Sequence, residues 1–245
     1  MRGLLTDAVR TLVPPRDDRH GPLPPLMLAL TVVTGLVDAV SYLALGHVFV
    51  ANMTGNVVFL GFSLAGAPNL SVVASVVALA AFLLGALAGG GLGSRFAAHR
   101  GHLLKRATAA ETVLVAVTVA VTAATDGRVT TGVQYTLIVC LGLGMGLQNA
   151  VARRVGVPDL TTTVLTLTLT GLAADSGPAG GAAPRAGRRI LSVLAMLLGA
   201  LVGGELVLRG HLVLALGLAL LLLALTSVVT HRLSATDAAW VRSAS

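Results

Sequence analysis

Charged residues are scarce in this chain, cysteine occurs once, and aromatic side chains make up 3% of it. Charge is the most informative shortage, because 11% of the residues are charged, whereas soluble domains carry about 25%. A further 55% are hydrophobic, which is more than a water-soluble fold can bury. The composition therefore predicts an integral membrane protein and excludes an ordinary soluble domain.

Cys140, as the single cysteine, excludes an internal disulfide and a cysteine-based metal cluster. The histidines have no spacing suited to zinc, and no nucleophile is paired with a base, so we expect no enzymatic activity, metal or cofactor. The net charge of +7 comes from arginines scattered over loops, without a basic face of stacking aromatic rings. This distribution argues against nucleic acid as a partner and favours the lipid bilayer.

Six continuous apolar stretches are long enough to cross a hydrocarbon layer of about 30 Å as helices. Barrel strands are excluded, because they would alternate in polarity over about ten residues. The predicted spans are residues 24–45, 70–94, 107–125, 132–152, 190–208 and 211–230. The predicted fold class is therefore an all-α integral membrane protein with six transmembrane helices.

Segments 46–66 and 160–174 are also apolar, but they are short or interrupted by polar residues. Each either spans the membrane, giving eight full spans, or is a re-entrant or broken segment. Lysine and arginine distinguish the two topologies, because they are enriched in cytoplasmic loops. Re-entrant segments and a cytoplasmic amino terminus leave only Arg128 and Arg209 outside, whereas eight spans would place the basic loops at 95–106 and 153–154 outside together with Arg209. We therefore predict re-entrant segments.

An internal repeat indicates how these elements are arranged. Residues 82–95, FLLGALAGGGLGSR, correspond to 196–209, MLLGALVGGELVLR, and GLVDAV at 35–40 corresponds to GLQNAV at 146–151. An offset of roughly 110 residues is too long for a solenoid and suits the halves of a transporter or channel. Three spans per half make the halves antiparallel. We predict inverted 3+3 repeats at 24–126 and 127–232, between cytoplasmic tails at 1–23 and 233–245.

Polar residues at bilayer depth are the candidates for a solute pathway. A cluster at 52–56 interrupts the first short segment, and a threonine-rich stretch occupies the second. Asp38 lies inside the first span, where an ionised carboxylate costs at least about 2.5 kcal/mol. The predicted pathway residues are Asp38, Asn52, Thr54, Gly55, Asn56, Asn149 and Thr166.

Each of these groups also has a structural interpretation. The asparagines at 52 and 56 would cap the flanking helices, with Gly55 permitting a turn. Asp38 is either a proton carrier or a neutral or paired carboxyl that joins helices. Thr166, Thr168 and Thr170 cannot share one helical face. Their segment is therefore either extended, or its hydroxyls bond to their own helix.

Other residues are expected to support the fold. The pairs Gly85 with Gly89 and Gly199 with Gly203 have the small-xxx-small spacing of closely packed membrane helices. One pair lies in each half, in the spans 70–94 and 190–208. Both helices are expected to pack tightly, and one possible arrangement is that they pack against each other. Glu111 is expected to reach the membrane interface, and Glu205 to pair with Arg209 four residues later. The apolar spacing at residues 4–13 predicts either a short helix on the inner leaflet or a disordered tail.

The stretch Val50-Ala51-Asn52-Met53-Thr54-Gly55-Asn56-Val57-Val58, which follows Gly35-Leu36-Val37-Asp38-Ala39, resembles the YoaK-like bacterial membrane proteins, a family of unknown function. The resemblance runs from about residue 26 to residue 230 and includes Gly146-Leu147-Gln148-Asn149-Ala150. Leu167 departs from it, standing where the family pattern has glycine. The resemblance implies a multipass protein of the bacterial cytoplasmic membrane, and it implies no activity.

These observations leave two functions open. The first is a transporter or channel for an unknown small solute, with its pathway between the repeats. The second is a structural or regulatory membrane protein, in which the same polar groups join helices and the loops at 95–106 and 175–189 recruit a partner. Homo-oligomerisation is compatible with both.

Overall fold

The computed structural model describes residues 2–15, 18–96, 99–163, 165–234 and 239–241, and their regular structure is helical without β-strands. Arg16, Arg242 and most of the predicted carboxyl-terminal tail lie outside these ranges. The helices are α1 (Arg2–Leu12), α2 (Leu23–Ala44), α3 (Met53–Leu64), α4 (Val72–Arg95), α5 (Arg100–Ala124), α6 (Thr131–Val155), α7 (Leu165–Ala174), α8 (Ala186–Leu208) and α9 (Leu212–Leu233). Short 3-10 turns occur at Gly177–Ala179 and Ala239–Val241.

Six of the described helices, α2, α4, α5, α6, α8 and α9, are long and apolar enough to cross a membrane. Helices α3 and α7 have 12 and 10 residues, which correspond to about 18 and about 15 Å of helix, well short of a hydrocarbon layer of about 30 Å. The prediction of six spans and two short segments is confirmed. The alternative of eight full helical spans is wrong for the described residues.

Several helices extend beyond the predicted apolar stretches. Helix α5 begins at Arg100 and α8 at Ala186, ahead of the predicted starts at 107 and 190. Hydropathy detects only the apolar part of a helix, and the added turns carry Arg100, Lys105 and Arg106 in α5 and Arg188 and Arg189 in α8. Ser71 and Thr130 cap α4 and α6, their hydroxyls accepting from the amides of residues 74 and 133 at 3.1 and 3.4 Å.

Glycines bring the backbones of two helix pairs into contact. Helix α2 packs along α8, and α6 packs along α4. A Cβ on Gly35 or Gly199 would overlap the backbone of the opposite helix in the first pair, and a Cβ on Gly85 or Gly146 would do so in the second. Gly89 and Gly203 make the next contacts along the same interfaces, one turn further on. Close packing through the predicted glycine pairs is therefore present.

The partners of these glycines differ from one predicted arrangement. Helices α4 and α8 do not pack against each other in the described structure, and each packs against the first long helix of the other half. The remaining long helices, α5 and α9, pack against each other. In addition, α5 packs against α6, and α9 packs against α2. The glycine spacing predicts that a helix is approached closely, but it carries no information about which helix approaches.

Arg100 ties together the bundle end at which α2 and α5 begin and α6 ends. Its Nε donates to the Val155 carbonyl at 2.9 Å, and its Nη2 lies 3.2 Å from Nδ1 of His20. Burial, followed by the charges of Arg100 and Arg19, lowers the pKa of His20 to about 4. At neutral pH the imidazole is therefore uncharged between two guanidinium groups.

The amino-terminal segment is a helix, which decides between the two predictions for it. Helix α1 packs on α8, where the Asp7 carboxylate accepts from the Arg188 amide at 3.1 Å. Gly187 permits this approach, because a Cβ there would meet the α1 backbone at Leu4 and Ala8. The other face of α1 exposes large apolar side chains, namely Leu4, Leu5, Val9 and Leu12. Helix α1 is thus amphipathic and attached to the bundle.

Two glycines of α4 give a matched test of the helix interface. We expect Gly85→Ala to lower the stability by about 1–3 kcal/mol, because the new methyl overlaps the Leu143 backbone of α6. Gly90→Ala, in the same helix but with nothing within 4 Å of the new methyl, should be neutral or stabilising by up to about 1 kcal/mol. Thermal unfolding in detergent measures both, and equal effects would contradict this account of the interface.

Candidate functional site

A cavity of about 690 Å³ lies where the two short helices begin. The first turn of α3 and the first residues of α7 face it, and α2, α4, α6 and α8 form the remaining walls. Six of the seven predicted pathway residues line it: Asp38, Asn52, Thr54, Gly55, Asn149 and Thr166. The structure thus brings together side chains that are up to 128 positions apart in the sequence.

Asp38 and Asn149, which correspond in the repeat, both hold the segment that leads into a short helix. Asp38 Oδ1 accepts from the Ala51 amide at 3.0 Å, just before α3. Asn149 Oδ1 accepts from the Thr163 hydroxyl, shortly before α7, and its Nδ2 donates to the Met145 carbonyl at 2.8 Å. Each side chain therefore holds an irregular, non-helical segment in place beside the cavity.

Asn56 is the predicted pathway residue that does not line the cavity. It is fully buried, and its side chain pairs with the backbone of Phe49. The Phe49 amide donates to Oδ1 at 2.8 Å, and Nδ2 donates to the Phe49 carbonyl at 2.6 Å. Phe49 lies in the irregular segment before α3, so these bonds replace those that a helix would supply. Asn56 therefore has a structural role, but it supports the irregular segment before α3 and does not cap a helix as the sequence predicts.

Asn52 combines the two predicted roles. Its Oδ1 accepts from the Gly55 amide at 3.3 Å and so caps α3. The residue also lines the cavity and is exposed. A side chain at Gly55 would meet the Phe49 ring at 2.8 Å, so glycine is needed there for packing.

The second short segment is helical, so the extended alternative for it is wrong. Helix α7 includes Thr166, Thr168 and Thr170, which lie on different sides of it. Thr166 lines the cavity, whereas Thr168 is buried within the bundle. The backbone becomes irregular before this helix, at residues 156–163, where Asp159 and Thr162 have positive φ angles of 63° and 67°.

Ion pairs hold the irregular segment 156–163 to the start of α8. Asp159 accepts from Nε of Arg185 at 2.6 Å and from Nε of Arg189 at 3.0 Å, and Arg189 also reaches Asp175 at 2.7 Å. Burial alone would raise the pKa of Asp159, but the hydrogen bonds and charges of the two arginines outweigh it and keep the pKa below its usual range. Both ends of α7 are thus attached to one arginine.

Aromatic rings form the wall of the cavity beside α3. Tyr42 stacks on Phe49 with ring centroids 5.1 Å apart, and Phe49 stacks on Phe59 at 5.8 Å. Phe49 and Phe59 line the cavity, together with Phe82 from α4. The chain has few aromatic residues, and three of its phenylalanines line this cavity together with Asp38.

A buried polar cluster behind the cavity was not predicted. One end of the Gln148 amide lies 2.9 and 3.2 Å from the two oxygens of Glu111, and the other end lies 3.0 Å from the Thr34 hydroxyl and 3.1 Å from that of Thr162. All four residues are at most 3% exposed. Glu111 is therefore buried in the bundle, and the prediction that it reaches the membrane interface is wrong. The signal that could have found the cluster is a carboxyl and an amide, both within apolar spans.

Glu205 and Arg209 form the predicted ion pair, and both side chains are mostly exposed. Such a surface pair contributes little to stability. It has no contact with the cavity lining, so Glu205 provides a carboxylate whose removal leaves the site intact.

With the geometry established, comparison with known proteins gives the family. The family model "Protein of unknown function (DUF1275)" matches residues 26–229. The chain belongs to this family. It is 32% identical over 150 residues to "UPF0700 transmembrane protein YoaK" of Bacillus subtilis (strain 168), covering 61% of this chain and 65% of that protein.

The matched stretch thus spans less than two thirds of this relative's length. No solved structure matches the chain. The resemblance to the YoaK-like proteins is confirmed, and the transmembrane relative and the six apolar helices establish a multipass membrane protein.

Asn56 and Asn52 separate a structural role from a lining role. We expect Asn56→Ala to destabilise the protein by about 2–4 kcal/mol, because it leaves the amide and carbonyl of Phe49 without their partner. Asn52→Ala removes only a helix cap and should cost about 1 kcal/mol. Thermal unfolding in detergent compares the two variants. A smaller loss for Asn56→Ala than for Asn52→Ala would contradict these roles.

Proposed function

We propose that this protein is a transporter or channel for a small solute, with its pathway through the cavity between the two halves. The observation that carries the proposal is the cavity lining. Asp38 and the start of α3 come from the first half, and Asn149 and Thr166 come from the second. Irregular backbone at membrane depth is stable only where it is buried in protein or lines a water-filled space. The irregular segments before α3 and before α7 both meet that condition at the same cavity.

The two halves are proposed to be inverted 3+3 repeats. Their interfaces use equivalent residues, since Gly35 and Gly199 join α2 to α8 as Gly146 and Gly85 join α6 to α4. Helices α3 and α7 likewise pack on α4 and α8, and α5 pairs with α9. Exchanging one half for the other leaves this pattern of contacts unchanged, as a two-fold relation requires. Such a relation is common in transporters whose substrate sites lie between broken helices.

A cytoplasmic location of both termini is proposed from the distribution of charge. The bundle end that carries Arg100 also holds the basic ends of α4, α6 and α9, because Gly101 faces Ser234 and Gly93 faces Arg154. The ion pair of Arg189 with Asp159, four residues after α6, brings the start of α8 to the same end. The opposite end, where Gln134 of α6 bonds to the Leu45 carbonyl at 2.8 Å, has Arg128 and Arg209. The positive-inside rule then favours a cytoplasmic basic end in the plasma membrane.

The chemistry of the lining restricts the solute. Asp38 is the ionisable residue among the described residues that line the cavity, and amide, hydroxyl and aromatic groups make up much of the rest. A carboxylate repels anions, whereas aromatic faces attract cations. The proposed solute is therefore a neutral or positively charged small molecule that has an apolar part. We propose no catalytic reaction, since Asp38 has no nucleophile or base as its partner.

A structural or regulatory role without transport is the second candidate, and one observation favours it. Asp38, Asn56 and Asn149 all bond to the chain itself, in each case to a segment next to a short helix. If these bonds were the whole function of the groups, the cavity would have no cargo.

Accessibility of single cysteines tests the proposed topology. In a Cys140→Ala background we expect Ala65→Cys, at the end of α3, to react from outside intact cells with an impermeant thiol reagent. Ala174→Cys, at the end of α7, should react only after the membrane is opened. Both positions are exposed, so a difference reflects the side of the membrane. The reverse pattern, or equal labelling, would contradict inverted repeats with cytoplasmic termini.

Liposome flux tests the proposed transport. We expect a panel of amines, amino acids and neutral metabolites to include at least one that enters liposomes containing the protein. Asp38→Asn should reduce that flux about tenfold, which corresponds to about 1.4 kcal/mol, because it removes the carboxylate of the lining. Glu205→Gln makes the same chemical change outside the cavity and should leave flux within about twofold. No flux of any solute would favour the structural role.

A further inference from the structure

The buried cluster of Glu111, Gln148, Thr34 and Thr162 lies apart from the cavity lining and has no role in the pathway described above. Glu111 is 11 residues into α5 and 1% exposed, so its carboxyl lies within a membrane-spanning helix. Its described polar partner is the Gln148 amide. A carboxyl in such a place is either functional or expensive to keep, because a buried charge needs a partner.

No cation compensates for a charge on Glu111 among the described residues. Uncharged groups face it from α6, and Thr34 of α2 and Thr162 of the loop face Gln148. The charged groups of the surrounding elements are Asp38 on α2, Arg95 on α4, Arg153 and Arg154 on α6, Asp159 before α7, His231 and Arg232 on α9, and Arg100, His102, Lys105 and Arg106 on α5 itself. None of these groups forms an ion pair with Glu111.

We propose that Glu111 is a proton-binding site inside the membrane. Its protonation determines the orientation of the Gln148 amide, which in turn affects the loop that lines the cavity. When Glu111 is neutral, the hydroxyl oxygens of Thr34 and Thr162 both accept hydrogen bonds. The Glu111 carboxyl donates to Gln148 Oε1, and Gln148 Nε2 donates to Thr34 and Thr162. Thr34 keeps its own proton for the Leu30 carbonyl, which lies 3.0 Å away.

Release of the proton to water reverses these bonds. Gln148 Nε2 then donates to both carboxylate oxygens, at 2.9 and 3.2 Å, and Oε1 faces the hydroxyls of Thr34 and Thr162. Thr34 has one proton, so it either leaves the Leu30 carbonyl or places its oxygen against Oε1. Thr162 changes from acceptor to donor. Loss of one proton by Glu111 thus inverts the Gln148 amide.

Thr162 connects this inversion to the cavity. It has a left-handed backbone, with φ of 67°, which a β-branched residue adopts only when its surroundings hold it there. The next residue, Thr163, lines the cavity and donates to Asn149, which also lines it. A change in the bonds of Thr162 therefore acts on the loop that positions two lining groups. This coupling rests on the proposed transport function, whereas the proton site does not.

The chain offers a sharp test, because Glu111 and Glu205 are its two glutamates. In Glu205→Gln protein grown with carboxyl-¹³C glutamate, infrared spectroscopy reports the protonation of Glu111 alone. We expect the labelled group to absorb as a carboxylic acid at pH 7, and wild type to show an additional carboxylate band from exposed Glu205. A labelled carboxylate band at pH 7 in the Glu205→Gln protein would overturn the proton site. This measurement requires no substitution in the buried cluster.

A second measurement tests the coupling. Where a transported solute has been found, we expect its flux to depend on pH in wild type and in Glu205→Gln. The dependence should be weaker in Glu111→Gln, which keeps a neutral partner for Gln148 and leaves Asp38 in the cavity. Unchanged pH dependence in folded Glu111→Gln would overturn the coupling. A carboxylic acid band with no flux of any solute would leave the proton site established and reject the transport proposal.

Discussion

Backbone contact between helices of opposite halves is the constraint on which the rest of this structure depends. Gly35 against Gly199 lets α2 meet α8, and Gly85 against Leu143 with Gly146 against Phe82 lets α4 meet α6, in each case through backbone atoms. In a membrane, packing of this kind replaces the hydrophobic effect, since lipid tails are as apolar as leucine. Each contact joins one half to the other, so neither half is a separate packed body. The interface between the halves is consequently the interior of the protein, and polar groups there are shielded from lipid.

The irregular segments beside the cavity, before α3 and α7, depend on this arrangement. A segment that leaves the helical conformation at membrane depth must find hydrogen bonds for its amides and carbonyls. Asn56 supplies two for Phe49, and Asp38 supplies one for Ala51. Asn149 instead holds the second segment through the Thr163 hydroxyl. The side chains that look like pathway residues in the sequence are therefore also the ones that make an irregular pathway possible. Lining and support are two functions of the same few groups, and Asn56 is a case of support alone.

The sequence predicts those parts of the molecule that depend on local pattern. Six spans follow from hydropathy, the close helix contacts follow from glycine spacing, and most of the cavity lining follows from polar residues at membrane depth. Partners are harder to predict, because a glycine shows that a helix approaches and not which one. Asn56 shows the same limit, since its partner is a backbone seven residues away. Glu111 and Gln148 are 37 positions apart, and only the packing of α5 on α6 reveals that they meet.

The two repeated sequence segments differ in charge beside the cavity. Asp38 in the first half corresponds to Asn149 in the second, and Gln148 corresponds to Val37 at the same offset. Both carboxyl groups of the interior, Asp38 and Glu111, therefore belong to the first half, while the amide that contacts Glu111 belongs to the second. The interface glycines occur in both segments, and a side chain at any of them would overlap the opposite helix. Polar groups beside the cavity are not part of these helix contacts, so their chemistry can differ between the two repeated segments without a change in packing.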